Sequence, residues 1–284
     1  MEPWNAAIAS AVLMGLGLIC HRRLRAILPE DPPDAIGRHR HLHPTPMAGL
    51  IPALLAVAAL AILSSAAWLI AGVGIATAVG YLDDQGKAEN HEMVWHRKGL
   101  GLLAATACAT VYLTLHHDLT PAQCLGVMLW LFALTNAVNF LDNTDGVTAA
   151  AGGLGLLFAT GGEGAMAFVG MAFLGFLPFN WPRAVAFLGD SGSLCLGLCL
   201  SVASLEFGLR CTGELFHLAS LVPLMVFAVD FVQVLTARLL LGIPPWVGDR
   251  RHLTHILINL GMPRWSIAPV FASLAYLACR YLAT

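Results

Sequence analysis

The sequence predicts an all-α, polytopic membrane protein with about ten transmembrane helices and an active site on its cytoplasmic face. The first observation is composition: 58% of the 284 residues are hydrophobic, 11% are charged, and the mean hydropathy is +0.75. Soluble domains carry about 25% charged residues. The second is a series of apolar runs long enough to cross a bilayer. The third is a concentration of basic residues in alternate loops.

The chain is interpreted as one integral-membrane domain, residues 1–284, because no repeat or low-complexity linker divides it. The predicted spans are 4–20, 47–63, 66–81, 100–115, 122–140, 147–159, 165–178, 191–207, 216–240 and 265–283. Two long apolar runs, 47–81 and 147–178, are each divided in two, at Ser64-Ser65 and at TGGEG. Residues 1–20 have the length of a signal peptide but are expected to form a retained span, since the basic residues follow this apolar run, at HRRLR, and no A-x-A cleavage site is present.

The basic residues set the predicted orientation. Of the 15 lysines and arginines, all except Arg210 and Arg280 fall in the loops after the odd-numbered spans. Positively charged loops stay in the cytoplasm, so both termini are expected outside. The net charge of −2 says little about partners.

Dense polar clusters gather on the same predicted side. They are HRHLHPTP, YLDDQ, NAVNFLDNTDGV, FNWPRAVAFLGDSGS and GDRRHLTH, each before or after a span. Loops are polar by necessity, which is the ordinary explanation, but the opposite loops are short and lack such clusters. The pattern therefore predicts one shared cytoplasmic site.

Three aspartates are candidates for metal or phosphate chemistry. Asp83 and Asp84 are adjacent carboxylates at the end of a span, where a divalent cation such as Mg²⁺ would relieve their repulsion. The alternative is a solvated helix end. Asp190 lies in a glycine- and serine-rich turn before a span, where backbone N–H groups can hold a phosphate. An Asp or Ser N-cap explains the same residues.

The asparagines and aspartates of NAVNFLDNTDGV are candidate functional-site residues. Asn136 and Asn139 recur at helical spacing with Asp142 or Asn143, and Asp145 follows in the exit turn. Interhelical hydrogen bonding is the alternative to a site.

In the last cluster, Arg250, His252 and His255 are suited to phosphate binding. A zinc site there lacks a clear third ligand. Asp230, inside span 216–240, is either a functional intramembrane carboxylate or a partner for Arg238.

Taken in order, these motifs resemble those of the polyprenyl-phosphate N-acetylhexosamine-1-phosphate transferases, glycosyltransferase family 4, over roughly residues 36–265. HLHPTPMAG is similar to H-x-x-P-T-P-x-x-G, and YLDD matches the family's Asp-Asp. NAVNFLDNTDGV resembles N-x-x-N-x-x-D-G-x-D-G. FNWPRAVAFLGDSGS and DRRHLTHILINLG resemble F-N-x-x-P-A…F-x-G-D-x-G-S and D-R-x-H-x-H-H…L…G. The last motif resembles the hexosamine branch more than the muramoyl-pentapeptide branch.

The resemblance implies a reaction in which a polyprenyl phosphate such as undecaprenyl phosphate attacks the β-phosphorus of a UDP-sugar. UMP leaves, and a polyprenyl diphospho-sugar starts a cell-wall or O-antigen glycan. It implies Mg²⁺, with Mn²⁺ as the alternative, and a multi-pass protein of the bacterial inner membrane. The implied partners are the UDP-sugar, the lipid phosphate and the bilayer, with no nucleic acid. A homodimer is left open.

The resemblance also implies roles for individual residues. The implied catalytic residues are Asp83, Asp84, Asp145, His252 and His255; the substrate-binding residues are Asn136, Asn139, Asp142, Asn180, Phe187, Arg250 and His41; the metal ligands are Asp190, Asp83 and Asp84. Phe187 and Asn180 match positions that hold uracil or its ribose. A carboxylate acting as a covalent nucleophile is an alternative mechanism.

Three positions depart from the family pattern. Asn143 stands where the family usually has glycine, Thr254 where a second histidine is usual, and Gly49-Leu50 replaces a Gly-Gly pair. None removes an acidic residue, so an active enzyme is expected, and a changed sugar preference is compatible with them.

Two other classes compete with this interpretation. An ion- or proton-coupled transporter would use Asp230, but its site is expected at the midplane between repeats. A CDP-alcohol phosphatidyltransferase would need A-R and spaced aspartates after Asp145-Gly146, and the sequence has neither.

Overall fold

Helices make up most of the computed structural model, in agreement with the predicted fold class. The structure describes residues 4–19, 27–31, 44–89, 91, 93–244 and 250–282, without the side chains of 17–19 and 282. The predicted substrate-binding residue His41 lies outside the described residues.

The helices are numbered in chain order. They are α1 (Trp4–Ile19), α2 (Leu50–Leu63), α3 (Ala67–Ala88), α4 (Trp95–His117), α5 (Pro121–Leu141), α6 (Val147–Thr160), α7 (Gly164–Leu174), α8 (Leu177–Asn180), α9 (Gly189–Thr212), α10 (Met225–Leu240), α11 (Leu253–Asn259) and α12 (Arg264–Leu282). A 3₁₀ helix, Leu218–Leu224, leads into α10. Two short strands, β1 (Glu30–Asp31) and β2 (Thr45–Pro46), pair antiparallel.

Each predicted span contains helix, and both predicted breaks occur, between α2 and α3 and between α6 and α7. Several bounds were wrong. Helix α3 continues to Ala88, so Asp83 and Asp84 lie within it and do not end it. The segment 216–240 begins as a 3₁₀ helix containing Pro223, which has no N–H to donate. The strands and α11 were not predicted, because they are too short to give a hydropathy signal.

Membrane spanning is supported by length and hydropathy. Among the described residues, four helical segments are long and apolar enough to cross a bilayer: Trp95–His117, Pro121–Leu141, Gly189–Thr212 and Leu218–Leu240. Four shorter apolar helical segments accompany them. The coarse prediction of a helical membrane protein is confirmed, whereas the count of ten spans stays a prediction.

Helix α9 is the centre of the bundle. Of the residues in its most apolar 18-residue stretch, 89% are buried inside the protein, whereas in the corresponding stretch of α4 only 33% are buried. It packs against α3, α5, α6 and the 3₁₀ helix. Small residues such as Ser193, Gly197 and Ser201 line it, and they let neighbouring backbones approach closely.

The site end of the bundle is defined by chain direction. Helices α3 and α5 end there, and α4, α6 and α9 begin there. The PTPMAG segment docks at the same end. The N–H of Phe187 donates to the Pro46 carbonyl at 2.9 Å, and the N–H of Ala48 donates to the Phe187 carbonyl at 2.9 Å. Four of the predicted polar clusters therefore meet at one end of the bundle.

Candidate active site

Asp84 fixes the start of α9. Its Oδ1 accepts the N–H of Asp190 at 2.8 Å, and its Oδ2 accepts the N–H of Ser191 at 2.9 Å. The side chain is fully buried. A carboxylate at a helix N-terminus satisfies unpaired N–H groups and complements the helix dipole. Asp84 therefore holds α3 and α9 in register.

Asp83 and Asp190 share the same two cations. Lys87 Nζ lies 3.2 Å from Asp83 Oδ2 and 2.9 Å from Asp190 Oδ1. Lys98 Nζ lies 3.1 Å from Asp83 Oδ2 and also contacts Asp190 Oδ2. Two carboxylates and two ammonium groups thus form a charge-balanced cluster, which we call the Asp–Lys cluster.

Neither lysine was predicted from the sequence to be a site residue. They are the only lysines in the chain, and both contact the same pair of aspartates. Lys87 follows Asp83 by four residues on the same helix, so their contact could have been predicted from the spacing. Lys98 lies on the next helix, and no spacing in the sequence indicates its contact with these aspartates.

Asn139 extends the cluster to α5. Its Nδ2 donates to Asp190 Oδ1 at 3.1 Å and to Ser193 Oγ at 2.8 Å. Asn136 Nδ2, one turn earlier, donates to the carbonyl of Phe132 in its own helix at 2.7 Å. The predicted shared face thus brings Asn139 to Asp190, whereas Asn136 hydrogen-bonds within its own helix.

Glycines allow this close approach. A Cβ at Gly80 in α3 would lie 2.3 Å from the Asp190 carbonyl oxygen. Gly189, just before Asp190, has φ +65° and faces the Asp84 carboxylate, a conformation and a space that exclude other residues. Both positions are required by the contact between α3 and the start of α9.

The NTDG turn after α5 is tied to the segment before α9. Asp145 Oδ2 accepts the N–H of Ala184 at 3.1 Å. Asn180 Oδ1 accepts the N–H of Gly146 at 2.9 Å, and its Nδ2 donates to the Ala186 carbonyl at 2.9 Å. Asn180 is buried in these contacts. The catalytic role of Asp145 and the substrate-binding roles of Asn180 and of the half-buried Phe187 stay predictions.

Asp142 closes α5 and is half-buried. Burial, followed by the negative charge of Asp190, raises the pKa of Asp142 to about 8. Near neutral pH this carboxyl is therefore able to hold a proton beside the Asp–Lys cluster.

His252 is held by a buried carboxylate. Its Nδ1 lies 2.7 Å from Asp230 Oδ2, and Asp230 Oδ1 accepts the N–H of Leu253 at 2.7 Å. Asp230 is fully buried. This arrangement fixes the ring orientation of His252 and leaves Nε2 for another partner. From the sequence, Asp230 was interpreted as a functional intramembrane carboxylate or a partner for Arg238, and its contact with His252 was not predicted.

His255 lies one turn after His252, with ring centroids 6.3 Å apart. Burial lowers the pKa of His255 to about 4, and the charges of His252, Arg250 and Arg264 act in the same direction. The imidazole is therefore neutral near pH 7. Arg250 is exposed beside it. His252 and His255 therefore lie close together. The start of α11 lies beside the end of α5, where the ring centroids of His252 and Phe140 are 6.5 Å apart.

The carboxylates of the site are candidate ligands for a divalent cation. Among the described residues, no three His, Cys, Asp or Glu side chains form a metal-binding group. Mg²⁺ is commonly bound by one or two carboxylates plus substrate phosphates and waters, so Asp83 and Asp190 suit it. Every oxygen of these three carboxylates already accepts a hydrogen bond: the two of Asp84 from backbone N–H groups, Asp83 Oδ1 from the N–H of Met93, and the other three from the side chains of Lys87, Lys98 or Asn139. Side chains can move aside for a cation more readily than backbone can, so Asp83 Oδ2 and the two oxygens of Asp190 fit better than Asp84, and the metal itself stays a prediction.

Fold and site together define a helical membrane protein with a carboxylate-rich site at one end of its bundle. The model of glycosyl transferase family 4 matches residues 65–208, about half of the chain. The chain belongs to this family.

Curated relatives agree with that assignment. A decaprenyl-phosphate N-acetylglucosaminephosphotransferase of Mycobacterium leprae is 30% identical, over 90% of this chain and 76% of the relative. An undecaprenyl-phosphate alpha-N-acetylglucosaminyl 1-phosphate transferase of Thermotoga maritima is 31% identical, over 51% of this chain and 46% of the relative. A phospho-N-acetylmuramoyl-pentapeptide-transferase of Rippkaea orientalis is 31% identical, over 76% of this chain and 69% of the relative. The chain thus spans only about half the length of some relatives.

Proposed function

We propose that the protein transfers an N-acetylhexosamine-1-phosphate from a UDP-sugar to a polyprenyl phosphate such as undecaprenyl phosphate. A lipid phosphate oxygen forms a bond to the β-phosphorus of the donor, and the bond from that phosphorus to the α–β bridging oxygen breaks. UMP leaves with that oxygen, and a polyprenyl diphospho-sugar remains in the membrane. The relatives named for this reaction support the proposal.

The observation that carries the proposal is the Asp–Lys cluster at the helix ends. Phosphoryl transfer depends on positioning and on neutralising phosphate charge. Lys87 and Lys98 supply positive charge, and Asp83 and Asp190 are the carboxylates that would hold Mg²⁺. When bound, Mg²⁺ would neutralise the diphosphate of the donor.

The remaining residues are assigned by what they can bind or hold. Asn139 orients Asp190, and Asp145 and Asn180 keep the NTDG turn beside α9. Asp142 can hold a proton at its carboxyl. His252 presents Nε2, since Asp230 occupies its Nδ1, and a phosphate oxygen is a suitable partner.

We further propose the bacterial inner membrane as the location, with ten spans and the site facing the cytoplasm. There the site meets both a soluble nucleotide sugar and a lipid headgroup at the interface. Mg²⁺, with Mn²⁺ as the alternative, and a homodimer remain proposals. The comparisons give no support to the transporter alternative, and Asp230 contacts His252.

The test is UMP release by the purified full chain with Mg²⁺, undecaprenyl phosphate and a panel of UDP-sugars. Asp190→Asn is expected to abolish release, and EDTA is expected to do the same reversibly. Asp118→Asn is the matched control, because Asp118 is exposed at the far end of α4. Absence of UMP with every sugar, or an active Asp190→Asn variant, would overturn the proposal.

A further inference from the structure

Two of the positions at which the sequence departs from the family pattern are in direct contact. Thr254 Oγ1, in α11, donates to Asn143 Oδ1, in the turn after α5, at 2.6 Å. The two residues are 111 positions apart in the chain, and Thr254 is fully buried. A buried hydroxyl needs a hydrogen-bond partner, so this bond has a structural consequence wherever it is lost.

Asn143 is held on both sides of its amide. Nδ2 donates to the Phe140 carbonyl at 2.9 Å, and Thr144 Oγ1 donates to Oδ1 at 3.0 Å. Its backbone does not adopt a positive φ. The turn at this position therefore does not need the glycine usual in the family, and the side chain is what distinguishes Asn143.

The two departures depend on each other. With glycine at 143, the hydroxyl of Thr254 would lose its acceptor in a position without solvent. With Thr254 replaced by an apolar residue, Asn143 Oδ1 would keep only the Thr144 hydroxyl as a donor. Asn143 and Thr254 therefore act as one pair.

The pair completes the attachment of α11. His252 and Leu253 are tied to Asp230 of α10, and Thr254 is tied to the turn after α5. Three successive residues thus connect the short helix to two different elements. His255 follows at once, so the position of its ring relative to this turn depends on the same contacts.

We propose that Asn143 and Thr254 are positioning residues. They set the distance between the imidazoles of His252 and His255, at the start of α11, and the carboxyl groups of Asp142 and Asp145, on either side of Asn143. Asn143 lies directly after Asp142 and two residues before Asp145. The pair fixes the space in which the phosphates of the donor are bound. The inference rests on the proposed transfer reaction and deepens it, because it assigns a positioning role in the same site to two residues that the reaction had left without one.

The test uses Thr254→Val, which keeps the shape and removes the hydroxyl, and Thr254→Ser, which keeps the hydroxyl. Per folded molecule, Thr254→Val is expected to lower kcat about tenfold, the equivalent of one buried hydrogen bond, while the KM for lipid phosphate is unchanged. Thr254→Ser is expected to retain activity. Thr160→Val is the matched control, because Thr160 lies at the end of α6 farthest from the turn that contains Asn143, and its hydroxyl donates only within α6.

The second arm is a double-mutant cycle with Asn143→Ala. If the pair acts as a unit, the double variant is no worse than either single variant. Amide hydrogen exchange of residues 253–259 is expected to increase in Thr254→Val and to stay unchanged in Thr160→Val. Additive losses, or unchanged exchange in α11, would overturn the inference.

The outcomes separate the two proposals. A wild-type protein that releases no UMP rejects the proposed function. An active wild type with an equally active Thr254→Val variant rejects the positioning role alone. If Thr254→Val does not fold, Asn143→Ala and Thr254→Ser decide: loss in the first with retention in the second supports the pair, and two wild-type activities refute it.

Discussion

The neighbouring carboxylates Asp83 and Asp84 point in different directions from the last turns of α3. Successive residues of a helix project about 100° apart, so an adjacent pair does not form one site by itself. Asp84 binds the backbone at the start of α9, and Asp83 joins the Asp–Lys cluster. The structural role of Asp84 and the charged role of Asp83 are separable by substitution for that reason.

Lys98 offers a prediction at this scale. Lys98→Gln removes one of the two positive charges shared by Asp83 and Asp190, and UMP release is expected to fall on the order of a hundredfold. The adjacent Arg97→Gln is the control, since Arg97 is exposed, and its activity is expected to stay within about twofold. Equal losses in both variants would contradict the assignment of Lys98.

His255 gives a prediction about pH. Its pKa is lowered to about 4 in the fold, below the usual 6.5, so between those values the unfolded chain binds a proton that the folded chain does not. Stability is therefore lost as the pH falls from 6.5 to 4. In detergent, His255→Gln is expected to show a smaller fall in Tm over this range, while the exposed His96→Gln matches wild type. An identical fall in all three proteins would refute this.

Among the elements, the contact between α3 and α9 decides whether the site forms. It depends on Gly80, where a Cβ would meet the Asp190 carbonyl oxygen at 2.3 Å. Backbone cannot move aside as a flexible side chain can, so the two helices would have to separate. Such separation would displace Asp190 from Asp84 and from the lysines.

The prediction compares two glycines of α3. Gly80→Ala is expected to destabilise the protein by about 1–3 kcal/mol through overpacking, and to reduce UMP release. At Gly74 a Cβ would meet nothing within 4 Å, so Gly74→Ala is expected to be neutral or stabilising by up to about 1 kcal/mol. Tm and activity are measured for both, and a Gly80→Ala variant as stable as Gly74→Ala would contradict the packing.

The helices, and the end of the bundle that carries the site, could be predicted from the sequence because both depend on residues that are close together in the chain. Apolar runs specify helices in a membrane, and polar clusters at their ends mark where several helices terminate. Contacts between distant elements left no such signal. Lys98 reaches Asp83 and Asp190 from another helix, and Thr254 reaches Asn143 across 111 positions. Asp230 was visible as a charge inside an apolar span, but its partner His252 lies 22 positions later in the chain.

For the whole molecule, the direction of α9 gives a test of orientation. Asp190 lies in its first turn and the exposed, free Cys211 near its end. A 24-residue helix is about 36 Å long, enough to cross a hydrocarbon core of about 30 Å. If the site faces the cytoplasm, Cys211 lies on the outside.

A membrane-impermeant maleimide is expected to label the protein in intact spheroplasts, and Cys211→Ser is expected to remove that label. In the Cys211→Ser background, Arg183→Cys introduces a thiol at an exposed position on the site side. That variant is expected to react only after the cells are permeabilised. Labelling in the opposite order would invert the proposed topology.

The burial of α9 along most of its length also has a consequence for biogenesis. This helix carries Asp190, Ser191 and Ser193 in its first turns, and its faces are covered by α3, α5 and α6. The side chains that Asp190 contacts, on α3, α4 and α5, all precede α9 in the chain. The Asp–Lys cluster can therefore be completed as soon as α9 packs against those helices, whereas His252 and His255 can join the site only after α10 has been synthesised.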